Sequence, residues 1–375
     1  MAKYILVPDS FKGTMSSVEV CEIMARAILK LDPAAEVVSI PVADGGEGMV
    51  EAFLAAIQGE RIEATVSNPF FEKMKTVYGV IGEGKTAVIE MAACAGLPLV
   101  GDRPDPERAT TYGVGELIMD SVQRGAKKII LGLGGSATND GGCGAAAACG
   151  VRFFDDKGEV FVPTGGTLHK IARIEKTSHP ELHKIEIDAM CDIDNPMFGE
   201  NGAAYIFGPQ KGADAEIVRT LDDGLRHLSK MITRDLDCDV SALPGGGAAG
   251  AMGAGMAAFF GAKLKMGIDV VLEAAHFEDR LRGAKIVFTG EGRIDAQSMR
   301  GKVVVGVARR AVKHGVPVVA VVGQIGEGAE AAYSEGVTSI FSINTAPLPF
   351  SEAKHHSKEN LGITMQNILR LMLRT

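Results

Sequence analysis

The residues with the most chemistry to offer lie in short polar loops crowded with glycine. Asp9-Ser10-Phe11-Lys12-Gly13, Asp44-Gly45-Gly46-Glu47-Gly48 and Gly290-Glu291-Gly292-Arg293-Ile294-Asp295 mix carboxylates, a hydroxyl and cations. Lys12 and Arg293 suit a carboxylate or a phosphoryl group, and Asp9 and Ser10 can orient a small polar ligand. A fourth loop, Gly132-Leu133-Gly134-Gly135-Ser136-Ala137-Thr138-Asn139-Asp140-Gly141-Gly142, offers hydroxyls, an amide and many peptide N–H groups. Those are the makings of an anion cradle, although a plain strand-to-helix turn would use the same glycines. Asp192-Ile193-Asp194-Asn195-Pro196 supplies carboxylate oxygens for Mg²⁺ or for general-base work, and an ordinary Asx-Pro turn is the plainer reading. Gly208-Pro209-Gln210-Lys211-Gly212 adds a cation in a tight turn, which could equally be a solvated lysine. Lys302 adds charge to a helix start that is already positive, a place that suits an anionic ligand. Cations among carboxylates and glycine loops fit Mg-nucleotide phosphoryl transfer, which needs positioned charge and metal more than covalent chemistry.

Three other glycine patterns point elsewhere. Gly79-x-x-x-x-Gly84-Lys85-Thr86 spells a P-loop, but that chemistry needs a buried strand before it and a helix after it. Here the flanks alternate, and Ala87-Val88-Ile89-Glu90-Met91 favours strand, so a hairpin turn is expected. The Gly132 loop with Asp155 about twenty residues on resembles a dinucleotide fingerprint. The helix candidate Cys143–Cys149 is short for a crossover, and Asp140 would repel a bare pyrophosphate though not one carrying Mg²⁺. Gly245-x-Gly247-x-x-Gly250 has no apolar strand before it and reads equally as a phosphate approach or as close helix packing.

The elements that must position these loops come in βα units at both ends of the chain. Lys3–Pro8 reads as a buried strand. Ser16 and Glu19 form a capping box, and Cys21, Met24, Ala25, Ile28 and Leu31 continue at helical spacing up to Asp32-Pro33. Glu36–Val42 reads as strand and Glu47–Gln58 as helix. Lys285–Thr289, Pro317–Gly323 and Thr338–Ile343 repeat the strand pattern, with helices over Lys302–His314, Glu327–Glu335 and Leu361–Leu373. The middle differs. Thr65–Val80 and Thr86–Met91 alternate like antiparallel strands, followed by a helix near Val114–Gln123 and strands at Lys128–Leu133, Val151–Phe154 and Ile185–Met190. The expectation is an α/β protein of two α/β domains. A Rossmann-like parallel-sheet domain is built from residues 1–62 and 284–375, and a mixed α/β domain, 63–283, is inserted and carries the glycine-rich loop. Loops leaving the carboxyl ends of parallel strands emerge on one edge, where ligands bind.

Composition sets limits on function. The 375 residues carry a net charge of −8, which disfavours nucleic acid and anionic membranes as partners. The absence of Trp and an aromatic content of 5% also argue against base-stacking platforms. Six cysteines form no CxxC pair and read as reduced thiols, no histidine pattern suggests zinc, and the N-terminus shows no signal-peptide h-region, so a cytoplasmic protein is expected. Glycine is the outlier, at 47 residues without a collagen period, so the excess must sit in backbone loops.

VPDSFKGTMSS (7–17), PVADGGEG (41–48), TTYGVGELI (110–118), GLGGSATNDGG (132–142), CDIDNP (191–196), FGPQKGA (207–213) and TGEGRIDAQSMRGK (289–302) together resemble the bacterial glycerate kinases of the type 1 family, over essentially the whole chain. The resemblance implies phosphorylation of D-glycerate with ATP and Mg²⁺, 2-phosphoglycerate as the product, and two α/β domains. Met49 stands where the family usually has Thr, and Asp192 and Asn195 match its pattern better than Asp194. The resemblance fixes the activity and not individual roles; from the residue chemistry, Gly134, Gly135, Ser136, Thr138, Asn139 and Lys211 are expected to bind the nucleotide, and Asp44 and Asp192 the metal. Asp9, Ser10, Lys12 and Arg293 are expected to bind glycerate, with Lys12, Asp192, Arg293 and Asp295 catalytic. Asp192, Asp295 or Asp9 would accept the hydroxyl proton, all in one crevice. A nicotinamide-dependent hydroxy-acid dehydrogenase and a non-catalytic sugar-acid-binding protein are the alternatives, and a homo-oligomer stays open.

Overall fold

Lys3-Tyr4-Ile5-Leu6-Val7-Pro8 forms a strand because apolar side chains on both faces can be covered only inside a parallel sheet, and all but Lys3 are buried. The computed structural model describes residues 1–43, 45–176, 179 and 181–373. Two compact units share the chain.

The first unit comprises Met1–Ala43, Glu51–Gln58 and Met266–Thr375. Its five-stranded sheet runs Val337–Ser342, Val318–Val322, Ala284–Gly290, Lys3–Pro8, Glu36–Ser39 in spatial order, with every pairing parallel. Val318–Val322 is wholly buried, as a central parallel strand should be. The helix Ser17–Leu31 starts at the expected capping box, with Glu19 N–H donating to Ser16 Oγ (3.2 Å) and Ser16 N–H to Glu19 Oε2 (2.9 Å). Its apolar stripe, Val20, Met24 and Ile28, packs with Leu361, Met365 and Leu369 of the helix Ser357–Met372. Each such side chain contributes roughly 1.5–3 kcal/mol by leaving water. The register Pro8↔Gly290 brings the next residues, Asp9 and Glu291, out of neighbouring central strands at the same level.

The second unit comprises Asp44–Val50 and Gly59–Lys265. Its six-stranded sheet runs Lys263–Lys265, Glu186–Met190, Lys128–Gly132, Thr86–Glu90, Lys73–Ile81, Gly59–Ser67. The first four strands are parallel, and the last two pair antiparallel. Val114, Leu117 and Ile118 of the helix Tyr112–Gln123 share a core with Ile129, Leu131 and Met252. The P-loop spelling at Gly79–Thr86 is a hairpin turn between antiparallel strands, with Lys85 N–H donating to Gly82 O.

Several limits differ from the sequence reading for identifiable reasons. Residues 266–283 belong with the first unit, where Arg310 of the helix Val303–Ala311 donates to Asp269 and Glu278, both at 2.8 Å. Thr65–Val80 is two strands, because Asn68 Oδ1 accepts from Phe70 N–H (2.8 Å) and Glu72 N–H (3.0 Å) and folds the chain back at Asn68-Pro69. Glu327–Glu335 yields only the short helix Ala331–Ser334, after Gly326 and Gly328. No helix among the described residues is long and apolar enough to cross a membrane.

Candidate active site

In the second unit the strand Lys128–Gly132 ends in the glycine-rich loop. Gly134 has no room for a side chain, since a Cβ there would fall 2.7 Å from the Gly46 Cα, and its N–H donates to Gly45 O at 2.9 Å. Beyond Gly135 the loop turns inward, and Ser136, Thr138, Asn139 and Asp140 are all buried. Lys211, from the turn after Gly208-Pro209, reaches the same place. It is 1% exposed, and its Nζ donates to Ser136 Oγ (2.8 Å) and to Thr138 O (2.6 Å). Burial lowers the Lys211 pKa to about 7, against the opposing pull of the Asp140 charge. A solvated lysine is therefore excluded at this position.

Asp140 serves the loop itself. It accepts from Thr111 N–H (2.8 Å), Thr111 Oγ1 (2.9 Å), Gly142 N–H (3.0 Å) and Gly144 N–H (3.2 Å). Burial raises its pKa while these donors pull it down. This carboxylate ties the loop to Thr111 and to the start of the helix Cys143–Ala148.

Other polar groups of the loop remain unspent. The Asn139 amide nitrogen and oxygen and Thr138 Oγ1 are buried without a hydrogen-bond partner, and Lys211 has used two of its three N–H donors. Buried polar groups without partners are costly, so a set of them at one loop points to a ligand that supplies the missing half. The loop is braced from behind by the Gly245–Gly250 pattern. Ala249, Gly250 and Ala251 all adopt left-handed backbone, and a Cβ at Gly250 would collide with the Thr138 carbonyl oxygen. Close packing is what those glycines provide. Asp192 lies half-buried two residues beyond Met190, which pairs with Gly132, so it leaves the sheet on the same edge as the loop. Asn195 donates from Nδ2 to Asn201 O at 2.8 Å. Asp44 lies outside the described residues.

Among the described residues no three His, Cys, Asp or Glu side chains gather as a metal cage. A Mg²⁺ ion bound through phosphate oxygens asks the protein for only one or two carboxylates, and Asp192 at this edge fits that demand.

In the first unit the edge formed by Asp9 and Glu291 collects the rest. Asp9 N–H donates to Gly290 O (2.8 Å), and its carboxylate accepts from Ser10 N–H (2.6 Å). The 9–13 loop packs on the 290–295 loop, so that a Cβ at Gly292 would sit 3.5 Å from the Lys12 backbone nitrogen. Lys12 is exposed, and exposed Arg293 pairs with Asp295 at 3.0 Å. Lys302 is the N-cap of the helix Val303–Ala311 and makes no side-chain cap bond. Glu291 is the group that reasoning from sequence left without a role. It is 6% exposed, its Oε1 has no partner, and the Ser298 hydroxyl bonds its carboxylate. Burial is the main cause that lifts its pKa to about 7, with Asp9 and Asp295 adding to the rise and Lys302 opposing it. The available signal was its place between two glycines at the end of a central strand.

The sequence profile described as the glycerate kinase family matches residues 4–373. The chain belongs to the glycerate kinase family. A glycerate kinase of Bacillus cereus (strain ATCC 10987 / NRS 248) is 44% identical over 368 residues, 98% of this chain and 97% of that protein. The glycerate 2-kinase of Escherichia coli (strain K12) is 42% identical over 368 residues, with 98% and 97% covered. A solved crystal structure of a protein assigned as glycerate kinase 2 from Salmonella typhimurium LT2 superposes with a TM-score of 0.89 at 38% identity, covering 100% of this chain and 98% of that one. The chain is thus an α/β phosphotransferase of this family. Of the residues singled out for it, Gly134, Gly135, Ser136, Thr138, Asn139 and Lys211 come together in one unit, with Asp192 on the same sheet edge. Asp9, Ser10, Lys12, Arg293 and Asp295 come together in the other.

Proposed function

We propose that the protein transfers the γ-phosphoryl group of ATP to the 2-hydroxyl of D-glycerate, giving 2-phosphoglycerate and ADP, with Mg²⁺ as the metal. The observation that carries this reading is the buried Lys211 ammonium, held against Ser136 and Thr138 beside the unspent Asn139 amide. A triphosphate supplies acceptors for all of these donors and the negative charge that a buried cation lacks. Gly134 and Gly135 let its oxygens approach the backbone. In the first unit, Lys12 and Arg293 take the glycerate carboxylate, and Asp9 and Ser10 orient its hydroxyls. The Arg293–Asp295 pair fixes the guanidinium, which then also meets charge on the moving phosphoryl group. Asp192, with Asp44, would hold Mg²⁺, whose role when bound is to neutralise phosphate charge and align the leaving oxygen. The choice of the 2-hydroxyl is supported by the name of the Escherichia coli relative. Six free cysteines and the absence of a membrane-length helix among the described residues accord with a cytoplasmic site of action.

Incubation with D-glycerate and MgATP should release ADP, and phosphorus NMR of the product should show 2-phosphoglycerate. NADH formed from NAD⁺ and glycerate, or binding without turnover, would reject the proposal, and 3-phosphoglycerate would reject its regiochemistry.

A further inference from the structure

We propose that Glu291 is the catalytic base of this phosphoryl transfer, taking the proton from the attacking glycerate hydroxyl on its Oε1. The inference rests on the kinase reading above and names a group which that reading left out. A base must hold an acceptor atom with nothing else bound to it, at the point where a small ligand is gripped. Glu291 is 6% exposed, and its Oε1 is buried with no hydrogen-bond partner. The carboxylate is steadied by the Ser298 hydroxyl, and Ser298 Oγ in turn accepts from Asp295 N–H at 3.3 Å. Its position is set by the sheet. Pro8 and Gly290 are paired, so Glu291 emerges beside Asp9 on neighbouring strands.

The other carboxylates of this edge are otherwise engaged. Asp295 pairs with Arg293 and accepts from Gln297 N–H at 2.9 Å, and Asp9 accepts from Ser10 N–H. The charged groups that face Glu291 are Asp9 and Asp295, which disfavour its ionisation, and Lys302, which favours it. Burial outweighs them, and the balance near 7 suits a base working at neutral pH. As the hydroxyl oxygen forms its bond to the γ-phosphorus, its proton passes to Glu291 Oε1. The bond from that phosphorus to the β,γ-bridging oxygen breaks, and its electron pair leaves with ADP. Glu291 returns the proton to solvent once product has gone.

The test compares pH profiles of kcat/KM for glycerate, at saturating MgATP, between the parent protein and Glu291→Gln. The parent should lose activity on an acid limb centred near pH 7. Glu291→Gln should fold, keep its KM for glycerate, lose about 10²-fold in kcat and show no such limb. A variant retaining parental kcat and the limb would overturn the inference while the kinase reading stood. A parent protein that makes no ADP from glycerate would instead overturn the kinase reading. If thermal melting shows Glu291→Gln unfolded, Ser298→Ala carries the test. Loss of the hydroxyl that stabilises the carboxylate should move the acid limb to higher pH, and a limb that stays in place would refute the assignment.

Discussion

The Lys211 ammonium makes nucleotide affinity a function of pH. In the free protein burial has lowered its pKa to about 7, so near neutrality the side chain is divided between charged and neutral forms. Only the charged form attracts a triphosphate strongly, and bound phosphate oxygens raise the lysine pKa again. Above pH 7 each unit removes about nine-tenths of the competent form, and the apparent dissociation constant rises by the inverse of that fraction. Between pH 7 and pH 9 ATP affinity should therefore weaken about fifty-fold, at 1.36 kcal/mol per decade. MgATP titrations by calorimetry at pH 6, 7, 8 and 9 read this directly. Repeating pH 8 in two buffers of different ionisation enthalpy should show close to one proton taken up per nucleotide. Lys211→Met should bind weakly at every pH and show neither the slope nor the uptake. Affinity that is flat from pH 6 to 9, with no proton uptake, would refute the placement of a buried titrating lysine against the phosphates.

Three further outcomes follow from the geometry. Arg293→Ala removes one of the two exposed cations, with Lys12, at the first unit's sheet edge, and turnover should fall at least ~10²-fold in a coupled ADP assay while the melting temperature holds. Asp140→Ala strands Thr111, Gly142 and Gly144 donors in a buried space, and urea denaturation should show a loss of roughly 3–5 kcal/mol. Ala249→Gly should stabilise, because left-handed backbone at φ 57° and ψ 44° costs an alanine about 1–2 kcal/mol, more than the ~0.4–1 kcal/mol of added unfolded-state entropy. A lower melting temperature for this variant would show that the turn is not strained.

Much of the fold could be read from the chain because its signals are local. The capping box at Ser16 and Glu19, the apolar run Lys3–Pro8 and the helix from Val303 each depend on neighbours within one turn. The boundary near residue 266 was harder, since α/β units look alike in sequence and only the Arg310 pairs with Asp269 and Glu278 decide which core the segment joins. Residue chemistry singles out the glycine-rich loop and, separately, Lys211, but it leaves open whether that lysine is solvated. Burial decides the question, and burial is a property of the packed chain. The same distinction explains Glu291. Its residue type said only that a carboxylate follows a strand, in a chain with many carboxylates. What sets it apart is a buried, unpartnered oxygen that feels the charges of Asp9, Asp295 and Lys302, and Asp9 is brought beside it by parallel pairing between the two ends of the chain. A group whose reactivity comes from desolvation is hidden in sequence for the same reason that it is reactive in the fold: the atoms that strip its water are distant along the chain.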